Sequence, residues 1–206
     1  MNRRTIFIVD VHGCLEELQI LLDRLRPTSL DRMIFLGDLV NKGPDSVGVV
    51  RLVCAQNWEC VQGNHDAYFV KNSMARTDFR EWKQQLGREA FQWLADRPLF
   101  LEEDRFIAVH AGLEPGVPPS ATSPKILQNL RMWPLGSKEG RRPWHHYYSG
   151  SRWVFYGHWA GQGLHRNGRT LGLDSGCVYG RELSAFVLET ETVVQVKARR
   201  VYEAVK

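Results

Sequence analysis

The stretch "MIFLGDLVNKGPDS", residues 33–46, opens with four apolar residues and changes character at Gly37. The apolar run has the length and composition of a buried strand. Directly behind it come Asp38, Asn41, Lys42, a Gly43-Pro44 turn and Asp45. An acid and an amine side by side at a strand end have two readings. One is a turn that ends in a helix cap; the other is a metal ligand beside a cation that grips phosphate. The segment after it, "SVGVVRLVCAQ" (46–56), reads as a helix.

Outward from this stretch the same punctuation repeats. "TIFIV" (5–9) and "WECVQ" (58–62) are short apolar strands, and "LEELQILLDRL" (15–25) spaces its leucines for a helix face. Strand, helix, strand, helix, strand predicts an α/β sheet with parallel members. Further on, "FREWKQQLGREAFQWLAD" (79–96) is an amphipathic helix whose tryptophans belong to the packing. Two strands joined by an acidic turn are expected over 99–110, a short helix near "PKILQNL", and a loop over 133–150. "WVFYG" (153–157) is another strand, Asn167-Gly168 marks a hairpin, and "ELSAFVLET" with "VVQVKARRV" closes the chain in antiparallel strands. The expected architecture is a single α/β domain over residues 1–206, with two facing mixed sheets flanked by helices.

Composition narrows the class. The chain has 206 residues, 43% hydrophobic and 24% charged, as in an ordinary globular protein. Its formal charge of +4 suits anionic substrates but falls short of a polybasic nucleic-acid binder. The four cysteines form no C-x-x-C pair and read as reduced thiols, which points to the cytoplasm. The start is too short for a signal peptide, and no run approaches the ~18 apolar residues of a membrane span.

Chemistry gathers at the strand ends. Asp10 and His12 follow the first strand, Asp38 the second, Asn64 and His65 the third, His110 the strand at 106–109, and His158 the strand at 153–157. Open α/β sheets bind ligands at the carboxyl ends of their strands, so these residues are expected to share one crevice. Two aspartates, three histidines and an asparagine amide suit two borderline divalent ions. An aspartate such as Asp38 can bridge ions ~3.5–4 Å apart that clamp a phosphate and activate water. His65, next to Asn64, is the natural proton donor to the leaving oxygen.

Asp10-x-His12-Gly13, Gly37-Asp38 with Gly43, Gly63-Asn64-His65-Asp66, His110-Ala111-Gly112 and Gly157-His158 together resemble the motif set of the calcineurin-like metallophosphoesterases, within the phosphoprotein phosphatase group. The resemblance runs over about residues 5–190. It implies one ion on Asp10, His12 and Asp38, and a second on Asp38, Asn64, His110 and His158. Protein serine/threonine phosphatases read G-D-x-V-D-R-G where this chain has Asn41 and Lys42. The resemblance therefore implies that Asn41 orients His65 without adding charge, and that Lys42 grips phosphate as a point donor. "GDLVNKGPDS", Asp66, "GHWA" (157–160) and "LDSGCVYGRELSAF" (173–186) resemble the ApaH-like phosphatases, relatives of the symmetrical diadenosine tetraphosphatase; the chain is short beside a full member.

A second phosphate-gripping arginine is expected between His110 and His158, from Arg131, Arg141, Arg142 and Arg152, with Arg131 and Arg152 put forward. "PWHHYY" (143–148) either stacks a base or packs its loop, and Cys177 is read as buried and not nucleophilic. The resulting expectation is a metal-dependent hydrolase with catalytic Asp38, His65 and Asn41 and two divalent ions: manganese first, with iron, zinc or cobalt as alternatives. Its substrate would be a dinucleoside polyphosphate such as diadenosine tetraphosphate, cut to ADP. A phosphoprotein, an RNA 5′ end or polyphosphate are the alternatives, and no membrane partner is expected.

Overall fold

The computed structural model describes residues 3–136 and 139–204. Among these residues two five-stranded sheets face each other. The first runs β12-β11-β1-β2-β3, with β1 (Thr5–Ile8), β2 (Arg32–Phe35) and β3 (Glu59–Cys60) parallel, and β11 (Glu182–Val187) and β12 (Thr192–Lys197) antiparallel at one edge. The second runs β4-β5-β8-β10-β9. Its parallel centre is β5 (Phe106–Val109), β8 (Trp153–Tyr156) and β10 (Thr170–Gly172), flanked by antiparallel β4 (Phe100–Glu102) and β9 (His165–Asn167).

The continuous apolar runs follow from burial on both faces. Phe7 and Val9 point between the sheets, where they meet Phe106, Phe155 and Leu171, and the Phe7 and Phe155 rings stack at 4.0 Å. Ile6, Ile8, Met33 and Phe35 point the other way, onto helices α1 (Leu15–Leu25), α2 (Ser46–Ala55) and α4 (Thr77–Ala95). On the outer side of the second sheet, Ile107, Val109 and Val154 pack under α5 (Pro124–Asn129) with Trp144. Each fully buried large apolar side chain contributes about 1.5–3 kcal/mol. The two layers therefore hold the carboxyl ends of six parallel strands at one rim.

Several details depart from the sequence reading. Residues after Gly63 form a helix, α3 (Asn64–Asn72), an element absent from the sequence reading. Gly87, at φ 74°, kinks α4 midway. The 133–150 segment is not all loop: β6 (Met132–Trp133) pairs with β7 (Arg142–Pro143), followed by a 3-10 turn at Trp144–Tyr147; residues 137 and 138 lie outside the described residues. The late part of the chain also carries parallel strands, β8 and β10. Among the described residues no helix is long and apolar enough to cross a membrane.

Candidate metal centre

The opening stretch both caps a helix and lines a cleft. Asp45 caps α2, accepting the Gly48 N–H at 2.7 Å. Asp38 turns instead into a cleft of about 780 Å³ that also receives Asp10, His12, Asn64, His65 and His158. His110, fully buried beneath it, reaches Asp38 at 3.5 Å. Six residues lining the cleft lie in the left-handed backbone region: Asp10 (φ 46°), His12 (47°), Asp38 (52°), Asn41 (79°), Lys42 (69°) and His158 (67°). Such strain in non-glycine residues collects where surrounding structure fixes side chains for function.

Asp38 is the hub. Its Oδ2 lies 3.5 Å from His12 Nε2 and 3.5 Å from His110 Nε2. Its Oδ1 accepts the His65 N–H at 2.9 Å, placing the carboxylate at the N-terminus of α3. Close approach explains the glycines here. A Cβ on Gly63 would collide with Asp38, and one on Gly157 would lie 2.5 Å from Asp10 Oδ1.

The imidazoles are oriented from behind. His12 Nδ1 bonds the Val40 carbonyl at 3.1 Å and His110 Nδ1 the Leu36 carbonyl at 2.7 Å. The His12 ring thus carries its proton on Nδ1 and aims the Nε2 lone pair into the site, the usual device of metal-binding histidines; His110 also turns Nε2 inward, and although burial pushes its pKa down, Asp38 outweighs this and raises it. Asn64 Oδ1 stands 2.9 Å from His110 Nε2 and 2.9 Å from His158 Nδ1. Burial pushes His12 down to about 3 and His158 down to about 2, so both imidazoles are neutral at ordinary pH.

The donor set fits divalent cations. Asp10 Oδ1 is buried and has no hydrogen-bond donor. Burial, then the Asp174 and Asp38 charges, hold the Asp10 carboxyl well above the usual carboxylate range. Burial also pushes Asp38 upward, but His110, His12 and His65 outweigh it and hold that carboxyl well below its ordinary value. Two groups of ligand atoms, His12–Asp38–His65 and Asp38–His110–His158, each lie within 4.8 Å, and Asp38 belongs to both. Lys42 Nζ, 3.0 Å from His12 Nε2, places a cation on one of those lone pairs.

Asn41 does contact His65, Nδ2 to Nδ1 at 3.0 Å. Its Oδ1 accepts the Lys42 N–H at 3.1 Å, which fixes the amide with its NH₂ toward the ring. His65 therefore accepts at Nδ1 and carries its proton on Nε2. Burial lowers its pKa, and Lys42 and His110 add to this against Asp38.

Arg131 lines the cleft and donates to the His158 carbonyl at 2.8 Å. Arg152 is corrected: it pairs with Glu102 at 2.7 Å and lines other cavities, away from this cleft. Arg141 and Arg142 do not line it either. "PWHHYY" packs rather than reaching the centre. Trp144 is fully buried and donates to the Ala111 carbonyl at 3.1 Å, holding the loop after His110. Tyr147 and Tyr148 line a separate cavity of about 400 Å³. Cys177 is buried beside Cys14, and that contact with burial keeps its thiol protonated.

Two residues were missed. Asp174 follows β10 and lies against Asp10, completing the set of six strand ends. Its signal, an apolar run ending in a carboxylate in "LGLD", was masked by the hairpin reading. Asp66 is fully buried; its Oδ2 accepts the N–H groups of Asp38 (2.8 Å) and Gly63 (3.0 Å), and its Oδ1 those of Leu39 (3.0 Å) and Val40 (3.3 Å). This carboxylate clamps the Asp38 loop to the start of α3. Asp66→Asn turns one acceptor into a donor facing N–H groups, so denaturant unfolding should show a loss of about 2 kcal/mol.

Residues 3–162 match the calcineurin-like phosphoesterases. A bis(5′-nucleosyl)-tetraphosphatase PrpE, asymmetrical, of Oceanobacillus iheyensis is 27% identical over 97% of this chain and 94% of its own. A symmetrical bis(5′-nucleosyl)-tetraphosphatase of Aromatoleum aromaticum is 29% identical over 93% and 96%; that alignment spans 262 positions against 206 residues here, so the relative carries insertions that this chain lacks. A crystal structure assigned provisionally as a diadenosine tetraphosphatase superposes with a TM-score of 0.83, at 31% identity over 95% of this chain and 93% of that one. With its strand-end carboxylates and imidazoles converging on Asp38, the chain belongs to the calcineurin-like phosphoesterase family and is a hydrolase of phosphate esters or anhydrides.

Proposed function

We propose that the protein is a dinuclear-metal hydrolase that cuts the phosphoanhydride chain of dinucleoside polyphosphates, releasing ADP from diadenosine tetraphosphate. The observation that carries this reading is the position of Asp38, whose carboxylate belongs to two groups of ligand-type atoms, one with His12 and His65 and one with His110 and His158. Asp10, His12 and Asp38 would hold one ion, and Asp38, Asn64, His110 and His158 the other. Manganese is the first candidate for these mixed nitrogen and oxygen donors. When bound, the ions polarise the phosphorus and make water a nucleophile at neutral pH.

The chain's own groups do the rest. Lys42 and Arg131, which both line the cleft, bring positive charge to the phosphoryl oxygens. His65 would turn Nε2 toward the leaving oxygen and act as its acid when doubly protonated, while the Asn41 amide holds the ring at Nδ1. The relatives named as tetraphosphatases support a nucleotide substrate, and the unpaired thiols support a reducing compartment such as the cytoplasm.

Product analysis tests the substrate. The manganese-loaded protein is given diadenosine tetraphosphate in one reaction and a phosphoserine peptide in another, at matched concentration. The expected result is ADP as the sole nucleotide product, with kcat/KM about 100-fold or more above that for the peptide. A faster peptide would overturn the assignment in favour of a protein phosphatase, and ATP plus AMP would overturn the symmetrical cut.

A further inference from the structure

The cleft reaches well beyond the metal centre, and four cations line it: Lys42, Arg76, Arg131 and Arg181. Three have duties already. Lys42 lies against His12, and Arg131 is tied to the His158 carbonyl. Arg76 is spent on Asp78, with contacts of 3.0 and 2.5 Å, and lies 4.1 Å over the Phe79 ring. The Arg181 side chain makes one hydrogen bond, from a terminal nitrogen to the Ala160 carbonyl at 3.1 Å, and has no carboxylate partner among the described residues. The rest of its guanidinium fork faces solvent at the cleft.

This arginine sits on a built support. The loop 176–182 turns at Gly176 (φ 77°) and Gly180 (φ 83°), and a Cβ on Gly180 would press on Val201. The end of the chain clasps the loop from outside. Ala198 N–H donates to the Arg181 carbonyl at 2.7 Å, and the Tyr202 and Glu203 N–H groups both donate to the Val178 carbonyl at 3.0 Å. The loop therefore leads outward from the metal centre. Asp174 lies at its base against Asp10, Tyr179 lies under Lys42 Nζ at 5.2 Å, and Arg181 stands at the rim.

A phosphomonoester carries its charge on one side of the scissile bond; a phosphoanhydride chain carries it on both. Lys42 and Arg131 serve the phosphoryl group at the metals, which leaves the departing nucleoside diphosphate without a counter-charge near the centre. We propose that Arg181 forms a second anion subsite, which binds the phosphates of the departing nucleotide through its free guanidinium face. The proposal rests on the anhydride reading above.

Arg181→Gln separates this role from support, because glutamine keeps an N–H for Ala160 while losing the charge. Calorimetric titration of the manganese-loaded protein with ADP and with inorganic phosphate reads the subsite without turnover. ADP affinity should fall about 10-fold or more, and the ratio of ADP to phosphate affinity should fall with it. Arg181→Lys should recover part of the loss. In turnover, the drop in kcat/KM for diadenosine tetraphosphate should exceed that for p-nitrophenyl phosphate by a similar factor. Unchanged ADP affinity, or equal losses for ADP and phosphate, would overturn the subsite. Failure of the anhydride reading would show separately, as a wild-type protein that binds ADP yet does not turn over the dinucleotide.

Discussion

Replacing Asp38 with asparagine is expected to lower kcat by about 10³-fold or more while leaving the fold intact. The amide has the same shape and keeps an oxygen for the His65 N–H, now held at 2.9 Å by Oδ1. What it loses is the charge facing both His12 and His110 at 3.5 Å. No other carboxylate belongs to both groups of ligand atoms among the described residues. The metal-free variant should stay folded but unfold somewhat below the wild type's temperature, since the neighbouring imidazoles hold the Asp38 carboxyl well below its ordinary value and its charge therefore stabilises the fold. Manganese should raise the unfolding temperature of the wild type far more than that of the variant, because only a tightly bound ion stabilises the folded state by mass action. Full hydrolysis by the variant would remove Asp38 from the mechanism.

His65→Gln is the second large effect, with an expected loss of about 10²–10⁴ in kcat, the range for general acid catalysis. Metal content should stay at the wild-type level. The geometry makes this a sharp test, because His65 also lies within 4.8 Å of His12 and Asp38 ligand atoms. If the variant loses an ion in proportion to its activity, His65 is a ligand and not the acid. The Asn41 contact provides an independent readout. Asn41 offers its NH₂ to Nδ1 and disfavours a second ring proton, while burial lowers the pKa further. Asn41→Asp would place an acceptor and a negative charge there, favouring the doubly protonated ring. An acid that must be protonated loses activity as pH rises through its pKa. The alkaline limb of the kcat profile should therefore move up by about one pH unit in Asn41→Asp.

Much of the site was legible because strand ends announce themselves. The strands end at Ile8, Phe35, Cys60, Val109 and Tyr156, and a ligand-type residue follows each within four positions. Asp174 was hidden because Asn167-Gly168 correctly marked β9 and β10 as a hairpin. Nothing local showed that β10 also lies parallel to β8, which is a non-local pairing. The helix α3 was hidden for a related reason. Gly63 and Asn64 favour turns on their own, and the carboxylates that organise the helix start come from Asp38, 27 residues earlier, as well as from Asp66. Choosing Arg131 over Arg152 required knowing which way each faces from the second sheet. Arg152 enters β8 at the end far from the rim, whereas Arg131 leaves α5 beside His158. Asp66 had the residue type of a ligand, and only its four backbone contacts show a clamp.

The most direct test of the central claim is the metal content of the purified, manganese-loaded protein, read by elemental mass spectrometry together with electron paramagnetic resonance. Two ions sharing Asp38 predict two manganese per chain and a spectrum dominated by an exchange-coupled pair, with both the second equivalent and the coupling lost in Asp38→Asn. One manganese per chain with an uncoupled signal, in protein that is fully active, would contradict it.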